Sequence, residues 1–350
     1  MKKTTISIAL IVLLFLSPFI FWLLQGKEPL NVAIIDKTVP SEEYREHKGL
    51  TWVLNHQRYA KEDESDYLAD TDYFGFMPDE AEKDYEIRGV EEMGSGYDLI
   101  YLADTYGVYE DDLPWQEAEG ERSELIYGGL EMAEWQMIKQ RVLDEGSDLV
   151  VEFNTFASPT DAAVSADMGE FLGLKWSGWS GRYFPDLAEG AEVPEWIVQN
   201  YEQGDEEWRF TGGGFVLVED ASGEIVVLSE ERGDIENAGL QVKFTELGQT
   251  AFDLEESPTF DYWFDINEAQ GETEVLAEYE WSLNEQGQEA LSERGIPDNF
   301  PAVLNAPVNE SNVYYFAGDF VDIEDVPSFY QYGGLSKMKD WLSFGGSDSF

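Results

Sequence analysis

The sequence predicts an α/β fold: a parallel sheet covered by helices, with an additional mainly antiparallel β module, after an N-terminal transmembrane helix. Three observations carry this. Short apolar runs at 31–35, 97–103 and 148–153 alternate with amphipathic helical patterns, turn-punctuated strand runs follow from 183 to 305, and residues 6–24 carry no charge. Continuous apolar strands need cover on both faces, which is the situation of a parallel sheet.

Lys2 and Lys3 precede the run at 6–24, whose length matches one crossing of a hydrocarbon core about 30 Å thick. A cleaved signal peptide has a shorter apolar region, about 7 to 15 residues, ending at a small-x-small site. Here the run ends in FWLLQGK. The expectation is a cytoplasmic tail at 1–5, a signal anchor at 6–24 and a C-terminal part outside the cytoplasm, set by the lysines. That makes a single-pass cell-membrane protein held by its N-terminal helix.

The next elements form the expected α/β domain, 31–182. NVAII (31–35) enters a polar loop at Asp36, Lys37 and Thr38. YDLIYLA (97–103) ends in Asp104, Thr105 and Tyr106, and DLVVEF (148–153) ends in Asn154 and Thr155. Between the strands, Met132, Trp135, Ile138 and Val142 share one helical face before the stop at Gly146. Val164, Met168, Phe171 and Leu172 do the same before Gly173. Ser158-Pro159 reads as the start of that second helix, serine as N-cap and proline in the first turn.

From 183 to 305 extends a β-rich acidic module, either a separate domain or an insertion in the α/β fold. FVLVEDASGEIVVL (215–228) is a hairpin pattern around Asp220 to Gly223, and strand runs recur at 241–245, 259–266 and 274–281. The last segment, 306–350, contains a return strand, SNVYYFAGDF (311–320).

Composition excludes whole classes of function. The 350 residues include 73 Asp plus Glu against 21 Lys plus Arg, a formal net charge of -52. Nucleic acid demands cationic neutralisation of phosphates, so it is not an expected partner. The absence of cysteine removes disulfides, thiolate metal sites and thiol nucleophiles. Such an acidic surface on a chain rich in aromatics reads as adaptation to saline surroundings.

NVAIIDKT, YDLIYLADTYGVY, IYGGLEMAEWQMIKQRVLDEGSDLVVEFNTFASPT and SNVYYFAGDF together resemble the class I glutamine amidotransferase-like superfamily, in its non-glutaminase, extracytoplasmic or carbohydrate-associated branch. The resemblance covers 31–182 and 311–322 and implies a flavodoxin-like parallel sheet. Glutaminases of that superfamily carry a cysteine on a strand-to-helix elbow, with a histidine and a glutamate further along. This chain has no cysteine, no G-x-[CS]-x-G elbow and no histidine after His56, so glutaminase chemistry is excluded.

Ligands of open parallel sheets collect beyond the carboxyl ends of the strands. That rule selects Asp36, Lys37, Thr38, Asp104, Tyr106 and Asn154 as ligand-binding candidates, although turn and cap roles explain the same residue types. Trp179 and Arg182, in KWSGWSGRYF, suit a sugar platform or an interface seal. Glu152 interrupts an apolar strand and, with His47 and His56, heads the catalytic candidates. Buried or surface structural roles are the blander reading of both histidines. Nine residues apart on one helix, their rings point about 180° apart and cannot share an ion, so no metal site and no cofactor are expected. The expected function is binding or assembly at the cell envelope by a catalytically degenerate domain, with carbohydrate or envelope proteins as partners. The alternative is an envelope polysaccharide hydrolase using acidic residues.

Overall fold

The computed structural model describes residues 2–116, 123–204, 207–254, 256–326 and 333. Helix α1 is Lys2–Leu24, with Pro18 inside it. The α/β part comprises β1 (Val32–Asp36), α2 (Arg45–His56), β2 (Phe74–Asp79), β3 (Asp84–Arg88), β4 (Leu99–Asp104), α3 (Met132–Gln140), β5 (Asp148–Val151) and α4 (Ala162–Leu172). Then come β6 (Leu174–Phe184), α5 (Glu195–Glu202), β7 (Gly214–Glu219), β8 (Ile225–Ser229), β9 (Leu240–Phe244), α6 (Glu246–Phe252), β10 (Thr259–Phe260), β11 (Phe264–Ala269), β12 (Glu274–Glu280), α7 (Glu285–Ser292), β13 (Asn299–Asn305) and β14 (Val313–Phe316).

The main sheet has ten strands in the order β10-β9-β12-β13-β14-β5-β4-β1-β2-β3. Its centre, β14-β5-β4-β1-β2, is parallel. Every pairing outside that centre is antiparallel. The expectation of a parallel, flavodoxin-like or amidotransferase-like sheet is therefore corrected to a mixed sheet. The reason lies in β14, which pairs parallel with β5 on one side and antiparallel with β13 on the other, so β13, β12, β9 and β10 extend the same sheet. A second, four-stranded antiparallel sheet has the order β8-β7-β6-β11.

Strand alternation assigns the two faces of the large sheet. Val32, Ile34, Tyr101 and Val150 pack with Leu50 and Leu54 of α2. Ala33, Ile35, Ile100, Leu102, Leu149 and Val151 pack with Trp135 and Ile138 of α3, Val164 and Met168 of α4, and Phe215 and Phe264 of the second sheet. Both faces are dry, which is why these strands read as unbroken apolar runs. The helix ends follow local rules: Gly146 closes the π-helical segment Arg141–Glu145 that continues α3, and Gly173 closes α4, with φ of 77° and 65°. The cap of α4 is Asp161, whose carboxylate accepts from the Ala163 amide, and not Ser158.

Among the described residues no helix is long and apolar enough to cross a membrane. This corrects the transmembrane anchor, the single-pass membrane placement and the membrane partnership through α1. The last turns of α1 are engaged by protein. Trp22 Nε1 donates to the His56 carbonyl at 2.7 Å, and the Arg58 guanidinium lies 4.7 Å over the indole. Of the expected segment 306–350, residues 327–350 apart from Gly333 lie outside the described residues.

Candidate functional site

The carboxyl ends of β1, β4 and β5 meet at one rim. A register shift after Ile35 sets Asp36 beside Asp104. Gly75 of β2 is required there, because a Cβ on it would stand 1.6 Å from the Asp36 carbonyl oxygen. Thr38 ties the strand ends together: its hydroxyl donates to Asp104 Oδ1 at 2.7 Å and accepts from the Gly107 amide at 2.8 Å. Its own amide donates to Asp36 Oδ1. Asp104 also accepts from the Tyr106 amide at 2.6 Å and from the Asn154 side chain at 3.4 Å.

Asp36 and His47 are fully buried and joined, Oδ2 to Nδ1, at 2.6 Å. His47 Nε2 lies 2.8 Å from the Ala69 carbonyl, which only accepts, so Nε2 carries a proton. The Asp36–His47 contact then also contains a proton, and both ring nitrogens are committed inside the protein. His56 lies at the far end of α2, stacked 4.7 Å from Trp52.

Glu152 is 1% exposed. Tyr101 O–H donates to its Oε1 at 2.6 Å, while Oε2 has no hydrogen-bond partner among the described residues. Burial pushes its carboxyl up to about 8 against the opposing Tyr101 hydrogen bond and the pull of the Val321 and Phe320 backbone N–H groups, and Asp104 adds repulsion. Asp104 is likewise pushed up to about 8, first by burial and then by Asp36. Glu46, on the first turn of α2, rises to about 9 by burial and then by Asp36, and its buried Oε2 is also unpartnered. Asp319, after β14, is raised well above the usual carboxylate range by burial and by Asp322, Glu152, Asp104 and Glu46.

A strap, 319–324, lies across this cluster. The Gly49 amide donates to the Val321 carbonyl at 2.9 Å, and Ile323 N–H to the Arg45 carbonyl at 3.0 Å. Arg45 Nε pairs with Asp322 at 2.6 Å and its Nη2 donates to Tyr262 O–H. Tyr262 lies under the Arg182 guanidinium at 4.5 Å, and Trp263 stacks on Phe153 with centroids 6.1 Å apart.

The rim thus brings together Asp36, Thr38, Asp104, Tyr106, Asn154 and Glu152, with His47 beneath. Lys37 points elsewhere: its ammonium is bound by Glu134 at 2.7 Å, by the Gly129 carbonyl at 2.8 Å and by the Tyr127 ring. Trp179 is 6% exposed within the core between the sheets. Arg182 flanks the rim through Tyr262, and its Nη2 pairs with Glu192 at 3.1 Å. Residues that the sequence did not single out are Glu46, Tyr262, Trp263 and Asp265. Asp265 is fully buried and accepts from Ser180, Tyr315 and the Asn154 amide; burial pushes it up to about 6. Its signal was available, an acid inside the apolar run YWFDI.

Asn154 takes φ 67°, a left-handed turn directly beyond β5. Its side chain is an amide, with no nucleophilic oxygen or sulfur to offer. Among the described residues no group of three or more His, Asp or Glu could hold a metal ion.

No family model matches the sequence, and no curated protein matches it. Among solved structures, similarity extends to a ThuA-like protein from Bacteroides uniformis at 14% identity and TM-score 0.37, over 91% of this chain and 93% of that one. The carbohydrate deacetylase Agd3 matches at 11% identity and TM-score 0.33, over 84% of this chain. This chain spans 30% of the deacetylase's length. An exo-β-1,4-mannosidase from an Opitutaceae bacterium matches at 9% identity and TM-score 0.32, over 90% of this chain and 34% of that one. Two of these three proteins are named for action on carbohydrates, and similarity at this level carries no argument about what the present chain does.

Proposed function

We propose that the strand-end rim binds a neutral, polyhydroxylated ligand of the carbohydrate class without transforming it. The observation that carries this reading is the convergence of buried carboxyl groups at the ends of β1, β4 and β5, with Glu46 Oε2 and Glu152 Oε2 unpartnered. A carboxyl kept neutral both donates and accepts hydrogen bonds, as a sugar hydroxyl does, and it does not repel an uncharged ligand. Glu46, Asp104 and Glu152 are in that form near neutral pH. Tyr262 and Trp263 supply half-buried aromatic faces at the same edge.

Catalysis is disfavoured by what surrounds these groups. His47 is closed on both nitrogens, and Asn154 occupies the tight turn after β5. With no cysteine in the chain, the glutaminase chemistry of the class I amidotransferase-like superfamily is absent. Kinship with that superfamily is part of the proposal and rests on the rim. A hydrolase is the second reading, favoured by Glu46 held neutral beside Asp322, which is paired with Arg45.

Calorimetric titration with neutral gluco-, manno- and xylo-oligosaccharides tests both. The binding reading expects affinity near pH 7 that falls as pH rises past about 8, loss of affinity in Trp263→Ala, and no new reducing ends. Release of reducing ends that disappears in Glu46→Gln refutes it in favour of the hydrolase. Absence of binding to any of the sugars refutes both.

A further inference from the structure

Away from the rim, a cavity of about 410 Å³ opens between α5, the outer edge of β8 and the chain that follows α7. Only four basic residues occur between 183 and 301, namely Arg209, Arg232, Lys243 and Arg294, and two of them line this cavity. Each arginine is held in place by carboxylate and carbonyl oxygens, Arg294 Nη1 also lying 3.8 Å from Glu293. Arg232 Nε donates to Asp234 at 2.8 Å and its Nη2 to the Val227 carbonyl. Arg294 Nε donates to Glu224 at 2.8 Å and its Nη1 to the Ala290 carbonyl at 3.0 Å. Nη1 of Arg232 and Nη2 of Arg294 have no hydrogen-bond partner among the described residues, so each fixed fork keeps donors for a ligand. The other lining groups suit a ring: Phe210 lies under the Arg232 guanidinium at 4.9 Å, and Tyr201 meets Phe210 edge-on at 5.3 Å.

We propose that this cavity binds a small carboxylate with a ring-sized body, its anionic end on Arg232 and Arg294 and its body against Tyr201 and Phe210. Planar guanidinium donors match the two oxygens of a carboxylate. The acidic surface does not forbid this. Charges more than about 8 Å away are screened at physiological salt, and beyond about 3 Å at 1 M, whereas groups in contact are not.

The test is calorimetric titration of the full chain with glucuronate, with benzoate, and with glucose as the neutral control. The expected result is binding of at least one carboxylate and none of glucose. Glucuronate alone identifies a sugar acid as the ligand class, and benzoate as well identifies a broader ring carboxylate. Arg232→Gln and Arg294→Gln are each expected to weaken binding by about tenfold or more, the loss of one charge-assisted pair, and Arg294→Lys by less. Both arginines are partly exposed, so thermal melting should confirm that the variants fold. Glu46→Gln, at a rim residue that does not line this cavity, leaves this site unchanged, which separates it from the carbohydrate reading. Equal carboxylate affinity in wild type and both glutamine variants, no carboxylate binding, or glucose binding as tight as glucuronate overturns the proposal.

Discussion

Replacing Glu152 by glutamine isolates the protonation that the fold imposes on its rim. Glu152 is 1% exposed and its carboxyl is pushed from an ordinary 4.5 up to about 8. Below pH 4.5 both the folded and the unfolded chain hold this proton, and it contributes no pH dependence. Between 4.5 and about 8 the unfolded chain releases the proton and the folded chain keeps it, so stability falls with rising pH. The slope is about 1.4 kcal/mol per pH unit, and by pH 7 the accumulated loss is about 3 kcal/mol. Above the folded value the effect levels off. Glutamine cannot ionise, so the variant lacks this slope, while Tyr101 can still donate to its oxygen. Its amide nitrogen would sit where Oε2 has no partner, at a constant cost of about 1–3 kcal/mol. The difference between the two slopes is therefore the diagnostic quantity. Urea unfolding of both proteins at pH 5, 6, 7 and 8 measures it. The variant should gain on wild type at each step. A difference that stays flat across that range would show that Glu152 is ionised in the folded protein and would refute the protonated rim.

Two further outcomes follow from charge and burial. Removing one partner of the sealed Asp36–His47 pair should cost about 3–5 kcal/mol, and the Asp36→Ala/His47→Ala double variant should cost less than the sum of the singles. Additive costs in urea unfolding would mean that the 2.6 Å contact does not couple them. With a net charge of -52, the melting temperature should drop when salt is lowered from molar to about 0.1 M, where repulsion between charges reaches about 10 Å instead of about 3 Å. A melting temperature indifferent to salt contradicts the saline adaptation of the surface.

Parts of this architecture are written locally. β1, β4 and β5 are unbroken apolar runs because Val32 and Ile34 face one layer while Ala33 and Ile35 face another. The polar residues at their ends are legible for the same reason, since burial stops there. Strand neighbours have no such local code. Nothing in FPAVLN or VYYF says that they join into one sheet with a parallel centre, because pairing is decided by residues far apart in sequence. Glu152 and Asp265 carry the same mark, an acid in an apolar run, whereas Glu46 in SEEYREH looks like any solvated helix acid. Its neighbours Asp36, Asp104 and Asp322 come from three distant parts of the sequence. The apolar stretch of α1 is legible as a helix, but its contacts with His56 and Arg58 depend on where α2 ends.

The place of β14 bears on how the chain is made. Val313 pairs with Leu149, a separation of 164 residues, and among the described residues β14 alone joins β5 to β13. During synthesis β5 must wait with one side unpaired while the whole β-rich half is produced. An unpaired strand edge is a template for wrong partners, and contacts between distant segments form slowly. A chain that stops before residue 311 would hold two half-sheets with open margins, and it would also lack Asp319 and the strap over Glu152. The rim is therefore assembled last, after nearly all of the sequence has been committed to structure.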